Sequence, residues 1–353
     1  MQIEENVPLA QFTTLKIGGP ARYFVRANGV RDVRGAVDLA RKQGIPFFVI
    51  GGGSNLVVSD AGYPGVVIKP DQNREIYRVP NSGSPGFVRF EVDADVEWDV
   101  LVRTVCEAGL YGLECLAGIP GLVGGAPVQN IGAYGQEVSQ TVGAVIVIDP
   151  DSKKRNLLLR EHCEFAYRRS VFNTTLKGRY VIARVGFNLE ERATPKLIYP
   201  DLIHHFGPDA KPSPIEVYHA VRRIRATKGM LIDPADSSPD ARSAGSFFKN
   251  PVVPAKVLRE IVETMAMEER EVPHWPASSG EVKLAAAWLI EKAGFAKGFA
   301  MGRVGISSKH TLALINRTGD ASCADLLRLR DLIVLTVEQR FGVTLDQEPV
   351  LLG

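Results

Sequence analysis

The chain has 353 residues, 45% of them apolar and 23% charged. This composition is typical of a globular protein with a sizeable core and with more than one small domain. Lys and Arg total 42 against 40 Asp and Glu, which gives a net charge of +2. A charge so near zero excludes a broad basic face for nucleic acid or for an anionic membrane. We therefore expect small-molecule ligands and neither nucleic-acid nor membrane partners.

No targeting or membrane signal is evident in the sequence. It contains no run of about 18 apolar residues, and its acidic first residues lack the parts of a secretory signal. The cysteines are far apart and form no CxxC pair, so we expect neither disulfides nor a structural metal; they are Cys106, Cys115, Cys163 and Cys323. These features predict a cytoplasmic protein, and we expect a monomer.

The first section of the chain predicts a small mixed unit of helix and sheet. Apolar spacing indicates a helix over 31–43, which Gly44 ends. Strands are expected over 46–50, 56–59 and 65–69. The first two strands are separated by Gly-Gly-Gly-Ser-Asn at 51–55 rather than by a helix.

The second section is richer in sheet. Alternation of apolar and polar residues predicts a strand over 87–96, and helical spacing predicts a helix over 97–108. A glycine-rich stretch then occupies 118–135. Strong strands are expected over 142–148 and 180–189.

The third section is more helical. Ser213-Pro214-Ile215-Glu216 is a capping box, with proline at the first helical position, and predicts a helix to Lys228. The following residues, 229–244, are typical of a loop. Further helices are expected over 254–267, 281–293 and 322–341. A final extended segment is expected over 343–352. The mixture of helices and strands, with much sheet in the second section, predicts the α+β class.

The two glycine-rich segments are the first signs of function. Consecutive glycines at 51–53 let successive backbone N–H groups converge on a phosphate, although a tight turn between strands is the alternative. Neither the GxGxxG nor the GxxxxGK[ST] spacing is present. The segment 118–135 brings backbone close to a flat or phosphorylated ligand, with a mobile surface loop as the alternative. Together the two segments suit a long dinucleotide.

Four motifs occur in an order that resembles one family. They are GGGSN, then AGIPGLVGGAPVQNIGAYG, then Tyr167-Arg168-Arg169-Ser170, then GSFFKNP at 245–251. From about Phe12 to the C-terminus the chain is similar to the UDP-N-acetylenolpyruvoylglucosamine reductase family, in its long-loop subclass with a tyrosine loop.

This resemblance implies three domains. The first two, 1–70 and 71–228, form an FAD-binding module of the vanillyl-alcohol-oxidase (PCMH) type, and an α/β domain over 229–353 binds a UDP-sugar. It also implies that NADPH reduces a non-covalent FAD, whose N5 delivers hydride to the enolpyruvyl double bond. The product is UDP-N-acetylmuramate, for peptidoglycan synthesis. No His lies in either glycine-rich segment to link FAD covalently, and Cys115 is interpreted as core.

The resemblance also implies three catalytic residues. Ser246 donates the proton, although its residue type alone would favour a helix N-cap or a turn. Arg168 binds the substrate carboxylate and the developing enolate, since a guanidinium suits a carboxylate. If the segment is extended, the neighbouring Arg169 points to the opposite face and is a surface charge. Glu348 completes the network, with Asp346 as the alternative carboxylate. Where the family has proline before this glutamate, the chain has glutamine.

Binding residues follow from looser matches to the same family. The UDP-sugar is expected to contact Tyr199, Lys228, Asn250, Lys297 and His310. Tyr134 is expected near the adenine of FAD. The full set expected to bind FAD is Gly51, Gly52, Gly53, Ser54, Asn55, Ile119, Pro120, Gly124, Gly125, Ile131, Tyr134 and Arg225.

Two other functions stay open at this stage. One is a flavin oxidase built on the same FAD-binding module, with oxygen as the electron acceptor. The other is a non-catalytic protein that binds FAD or a nucleotide sugar. The stretch between Lys228 and Ser246 is also longer than in the common form of the family, and it is either a substrate lid or a plain loop.

Overall fold

The computed structural model describes residues 1–71, 74–80, 85–152, 154–192, 195, 197–232, 236–277 and 280–353. Its mixture of helices and mostly antiparallel strands confirms the α+β class. The chain divides into two compact units. Unit 1 comprises Met1–Val7, Ala21–Gly53 and Pro64–Ile232. Unit 2 comprises Pro8–Pro20, Ser54–Tyr63 and Asp233–Gly353. The division into three domains stays a prediction.

In the described residues the helices are α1 (Val30–Lys42), α2 (Trp98–Glu107), α3 (Pro200–Phe206), α4 (Pro214–Thr227), α5 (Ala255–Met265), α6 (Ala286–Lys292) and α7 (Cys323–Phe341). Five of the helices lie within two residues of their predicted bounds, while α3 was not predicted and α6 is shorter than expected. The predicted capping box at Ser213 and Glu216 is present at the start of α4. Gly342, at φ 66°, ends α7 in the left-handed conformation that glycine adopts without strain.

The described strands of unit 1 form three sheets. In chain order, the strands found among the described residues of both units are β1 (Gln2–Pro8), β2 (Pro20–Ala27), β3 (Phe47–Val49), β4 (Leu56–Val58), β5 (Tyr63–Pro70), β6 (Ile76–Arg78), β7 (Phe87–Asp93), β8 (Gly132–Ala133), β9 (Gln136–Glu137), β10 (Val142–Ile148), β11 (Arg155–Leu159), β12 (Val181–Glu190), β13 (Val252–Pro254), β14 (His274–Pro276), β15 (Glu281–Leu284), β16 (Ala300–Met301), β17 (Val304–Ile306), β18 (Leu314–Asn316) and β19 (Val350–Leu352). Unit 1 holds the sheets β1-β2-β5-β3, β11-β10-β12-β7-β6 and β8-β9.

Unit 2 has smaller sheets, with orders β13-β15-β14, β16-β17-β18 and β19-β4. The last is a parallel pair in which Leu352 lies opposite Val58. It joins the C-terminus of the chain to the strand that directly follows the Gly-Gly-Gly-Ser-Asn segment.

Each unit has a core of its own. In unit 1, α2 buries Trp98 and Leu101 against the five-stranded sheet, where Phe187 lies opposite Phe90 in the ladder. In unit 2, Leu326, Leu329, Ile333 and Val337 of α7 are buried in a cluster that also contains Phe247 and Phe248. Full burial of each such side chain contributes roughly 1.5–3 kcal/mol.

Most predicted elements are confirmed, and one is wrong. The helix expected over 281–293 is instead a strand, β15, followed by the short helix α6. Strand β15 lies between β13 and β14, so its pairing with both neighbours overrides the local helical pattern. The final extended segment pairs in a sheet only over Val350–Leu352, apart from a single bridge at Gln347.

No helix in the described part of the chain is long and apolar enough to cross a membrane. The four cysteines are buried and free, and Cys115 lies in the core of unit 1, as predicted. Burial, together with the nearby Glu114 carboxylate, raises the pKa of the Cys115 thiol well above its usual range. The thiol therefore stays protonated and unreactive.

Candidate active site

The first glycine-rich segment, 51–55, joins β3 to β4 and packs closely on the second one. A Cβ added to Gly52 would lie 2.6 Å from the Cα of Gly121, a distance at which only glycine fits. A Cβ added to Gly51 or Gly125 would meet nothing within 4 Å, so the backbone there borders open space. The glycine-rich segments of unit 1 thus lie together beside open space, as a dinucleotide cradle requires.

The close contact between Gly52 and Gly121 leads to a testable prediction. In Gly52→Ala the added methyl meets Gly121 backbone, which cannot rotate away, so the protein is expected to lose about 1–3 kcal/mol of stability and most of its FAD. Thermal denaturation and the visible flavin absorbance per protein measure both effects. Gly51→Ala, whose methyl enters open space, is the control for stability. A Gly52→Ala protein with unchanged Tm and FAD content would contradict the expectation.

The second segment, 118–135, is fixed at several points. The N–H of Gly124 donates to the carbonyl of Ala94 at 2.9 Å, and a Cβ on Gly124 would collide with Ala94 at 2.7 Å. The N–H of Gly118 donates to Asp99 Oδ1 at 2.6 Å. These contacts argue against a mobile surface loop.

Asn130, which the sequence analysis did not single out, connects this segment to the predicted catalytic arginine. It is 1% exposed and left-handed, at φ 45°. Its Nδ2 donates to Glu137 Oε2 at 2.9 Å and to the carbonyl of Ala166 at 3.0 Å, and its Oδ1 accepts from the N–H of Ser139 at 3.0 Å. Asparagine adopts the left-handed conformation more readily than most residues. This property is the only feature of the sequence that could have indicated position 130.

Arg168 lies in a tight turn rather than in the extended segment that the sequence analysis considered. The N–H and carbonyl groups of Ala166 and Arg169 are hydrogen-bonded to each other at 3.0 Å in both directions. Arg168 is left-handed, at φ 54°, a strained conformation for arginine. Its Nη2 donates to the carbonyl of Gly132 at 2.8 Å. Arg169 is exposed, as expected, but because of the turn and not because of strand alternation.

Ser170 fixes this turn from its other side. It is fully buried, and its hydroxyl donates to the carbonyl of Val128 at 2.6 Å. The Asn173 side chain donates to the carbonyl of Arg168 at 3.1 Å. The Tyr-Arg-Arg-Ser motif therefore holds the Arg168 backbone against the second glycine-rich segment.

Arg225 is hydrogen-bonded to the first residue of the second glycine-rich segment, 118–135. It is buried, and its Nε and Nη2 donate to the carbonyls of Gly118 at 3.1 Å and Met230 at 2.8 Å. Burial lowers the pKa of Arg225, and nearby Tyr134 and Asp99 act in the opposite direction. Arginine stays charged in proteins in any case. A contact between Arg225 and FAD stays a prediction.

Three of the predicted binding residues form a cluster in unit 1. The rings of Tyr134 and Tyr199 meet edge to face with centroids 5.1 Å apart, and Lys228 Nζ lies 5.8 Å from each centroid. Lys228 also forms an ion pair with Asp201. Burial raises the pKa of Tyr134 to about 12. Tyr134, expected near the adenine, thus packs against two residues expected to bind the UDP-sugar, and its contact with adenine stays a prediction.

Ser246 and Glu348 lie on neighbouring segments of unit 2. The N–H of Glu348 donates to the carbonyl of Phe247 at 2.9 Å, next to Ser246 in the chain. The side chain of Asn55, a predicted FAD residue, donates to the carbonyl of Glu348 at 3.4 Å. No helix begins at Ser246, so the alternative of a helix N-cap is wrong. Unit 2 therefore brings two predicted catalytic residues and one predicted cofactor residue together.

The surroundings of Glu348 favour it over the alternative carboxylate. Glu348 is half-buried, whereas Asp346 is exposed. Gln347 replaces the family's proline, and Arg330 Nη1 donates to its Oε1 at 3.0 Å. Gln347 Nε2 donates in turn to the carbonyl of Pro349 at 2.6 Å. These hydrogen bonds of Gln347 restrain the segment. In the family, a proline at this position would restrict the backbone instead.

The remaining predicted substrate residues have different environments within unit 2. Asn250 Oδ1 accepts from the N–H of Ala286 at 3.0 Å, so its amide oxygen is already hydrogen-bonded to the first residue of α6. His310 is half-buried, and its Nδ1 accepts from the N–H of Leu312 at 3.1 Å. Lys297 is exposed on the loop between α6 and β16. Their contacts with substrate stay predictions.

Two known protein families match parts of the chain. A family described as an FAD binding domain matches residues 21–157, which include both glycine-rich segments. A second, described as the C-terminal domain of UDP-N-acetylenolpyruvoylglucosamine reductase, matches residues 234–352, which include Ser246 and Glu348. The open space beside Gly51 and Gly125 is consistent with the cofactor class of the first family.

Individual relatives match the chain over almost its whole length. UDP-N-acetylenolpyruvoylglucosamine reductase of Thermobifida fusca is 44% identical over 99% of this chain and 97% of its own length. The reductase of Streptomyces coelicolor is 42% identical over 99% and 90%. The crystal structure of the Thermus caldophilus reductase (MurB) superposes with a TM-score of 0.67 at 26% identity over 100% of both chains. The chain therefore belongs to the UDP-N-acetylenolpyruvoylglucosamine reductase family.

Proposed function

We propose that this protein reduces the enolpyruvyl double bond of UDP-N-acetylglucosamine enolpyruvate with NADPH, giving UDP-N-acetylmuramate for peptidoglycan synthesis. The observation that carries the proposal is 44% identity to a reductase of this name over 99% of the chain. The presence of Arg168, Ser246 and Glu348 within the motifs of the family supports it further.

Non-covalent FAD is the cofactor of the proposed reaction, and the two glycine-rich segments, 51–55 and 118–135, are proposed to bind it. FAD, when bound, takes hydride from NADPH and supplies it to the terminal carbon of the enolpyruvyl group. The glycines at 52 and 124 are supported in this role by the close backbone packing that their missing side chains permit. NADPH as the source of hydride belongs to the proposal.

Arg168 is proposed to bind the carboxylate of the enolpyruvyl group. Hydride addition leaves negative charge spread over that carboxylate, and a guanidinium can pair with it through two parallel hydrogen bonds. The strained backbone of Arg168 supports this role, since such strain is retained at positions where the side chain must be aimed. Its hydrogen bond to Gly132 holds one end of the guanidinium.

Ser246 is proposed to donate the proton that completes the reduction. An enolate carbon is a strong base, so a positioned hydroxyl can protonate it even though serine is a weak acid. Glu348 is proposed to act in its protonated form, donating a hydrogen bond to the developing enolate and returning a proton to Ser246. The hydrogen bond between the backbones of Phe247 and Glu348 supports a shared role for these two segments.

Five residues are proposed to bind the UDP-sugar. The aromatic cluster of Tyr199 and Tyr134 around Lys228 supports a site for the uridine or diphosphate part. The full set is Tyr199, Lys228, Asn250, Lys297 and His310. A cytoplasmic location and a monomeric state complete the proposal, and sedimentation of the purified protein tests the latter.

Anaerobic addition of each substrate to the purified protein tests the proposed function. The yellow protein is expected to bleach with NADPH and to regain its colour with the enolpyruvyl sugar, but not promptly with air. Rapid recovery in air alone would instead indicate an oxidase. A colourless protein that still binds UDP-sugars would indicate a non-catalytic binding protein. Either of these two results would overturn the proposal.

A further inference from the structure

The long segment before Ser246 is not used by the proposed reaction, yet it carries a buried acid. Asp240 is 7% exposed and lies in a short helical turn at 239–241. Its Oδ1 accepts from the N–H of Ser308 at 2.9 Å, and its Oδ2 accepts from the Ser308 hydroxyl at 2.6 Å. Both carboxylate oxygens therefore accept hydrogen bonds from Ser308, which lies on a distant loop. Residues 233–235 of the segment lie outside the described part of the chain.

The carboxylate of Asp240 is kept ionised by this loop. Burial alone would raise the pKa of Asp240, but hydrogen bonds from Ser308 and Ser307 and the charge of Lys309 lower it below its usual value. An ionised acceptor makes stronger hydrogen bonds than a neutral one. The loop is thus held firmly at Ser308.

The same loop contacts the segment that carries Ser246. The N–H of Phe247 donates to the carbonyl of Leu312 at 2.8 Å. Leu312 is itself fixed by His310, whose Nδ1 accepts from the Leu312 N–H at 3.1 Å. Asp240 is therefore connected to the residue after Ser246 by hydrogen bonds at the two ends of the short stretch 308–312 and by the chain between them, all within unit 2.

We propose that Asp240 is a positioning residue for proton transfer. By fixing the 307–312 loop, it sets the backbone of the Ser246 segment and the ring of His310, and so the geometry in which Ser246 meets the substrate. This inference rests on the proposed function, because it assigns Asp240 a part in the step that Ser246 performs. It also gives the long segment before Ser246 a role other than that of a lid.

Other hydrogen bonds, made by Arg242 and Ser243, keep the segment before Ser246 in place when Asp240 is replaced. Arg242 Nε donates to the carbonyl of Asn316 at 2.8 Å, and Arg242 Nη2 donates to the carbonyl of Arg317 at 3.0 Å. Ser243 also pairs with Ile315 of β18. The segment therefore stays attached to β18 without Asp240, while the 307–312 loop loses the two hydrogen bonds that hold Ser308.

Stopped-flow spectroscopy of Asp240→Ala tests the proposal by separating the two half-reactions. Flavin reduction by NADPH is expected to stay within about two-fold of wild type, while reoxidation by the enolpyruvyl sugar slows by about 10- to 100-fold, the cost of misplacing a reacting group by about an ångström. The loss should fall on kcat more than on KM for the sugar. Asp236→Ala removes an acid of the same segment that accepts only from Ser238 in the described structure, and is the control.

The Ser308→Ala variant removes the hydroxyl partner, so it is expected to slow the same half-reaction, and the double variant should lose less than the product of the single losses. Asp240→Asn and Ser308→Ala give the same test if Asp240→Ala fails to fold. Equal slowing of both half-reactions, no slowing, or an equal effect of Asp236→Ala would overturn the inference. If wild type itself is not reoxidised by the sugar, the proposed function fails instead.

Discussion

Replacing Ser246 by alanine is expected to stop reduction of the sugar while FAD is still reduced by NADPH at close to the normal rate. The serine hydroxyl is proposed to act only after hydride has reached the substrate, so the first half-reaction does not need it. Loss of a positioned proton donor typically costs about 10²–10⁴-fold. Stopped-flow absorbance of the flavin, followed separately with NADPH and with the enolpyruvyl sugar, measures the two rates.

Two further variants complete this test. Ser246→Cys keeps an acidic hydrogen at the same position and is expected to retain part of the second half-reaction. Ser237→Ala makes the same change at an exposed serine of unit 2 and should leave both rates unchanged. A Ser246→Ala protein in which both half-reactions fall equally would show that the serine is structural.

Replacing Arg168 is expected to have the second large effect. Arg168→Ala removes the proposed partner of the substrate carboxylate, where charge grows during the reaction, and should slow sugar reduction by about 10²–10³-fold. Arg168→Lys keeps the charge but cannot form two parallel hydrogen bonds. Its rate of sugar reduction should therefore be about 10-fold below that of wild type. Steady-state and single-turnover rates with the sugar measure the effect.

Arg169 offers a matched control for these variants. It is the next residue in the chain and has the same charge, but it is exposed on the turn. Arg169→Ala should therefore change sugar reduction by no more than about two-fold, the scale of a surface substitution. If Arg169→Ala proved more harmful than Arg168→Ala, the assignment of the carboxylate partner would be reversed.

Local chemistry was enough to predict most of the helices. The capping box at Ser213 and the glycine at 342 act within a few residues, and the structure has helix ends at both. The glycine-rich segments could also be identified, since their composition excludes a packed core. The contact between Gly52 and Gly121 could not, because it depends on how two remote segments meet.

The errors have the same cause. The pattern over 281–293 favours a helix locally, but pairing with strands on both sides makes Glu281–Leu284 a strand. The turn at Arg168 is held by partners far away in the sequence, including Asn130 through the carbonyl of Ala166. Asp240 gave no signal either, because its partner Ser308 lies 68 residues further along the chain.

The most direct test of the account is a single turnover of the reduced wild-type protein with UDP-N-acetylglucosamine enolpyruvate in the absence of oxygen. We expect the flavin absorbance to return fully and UDP-N-acetylmuramate to form in an amount equal to the bound FAD. Flavin that stays reduced until oxygen is admitted, or that is reoxidised without forming this product, would contradict the assignment of the protein as an enolpyruvyl-sugar reductase.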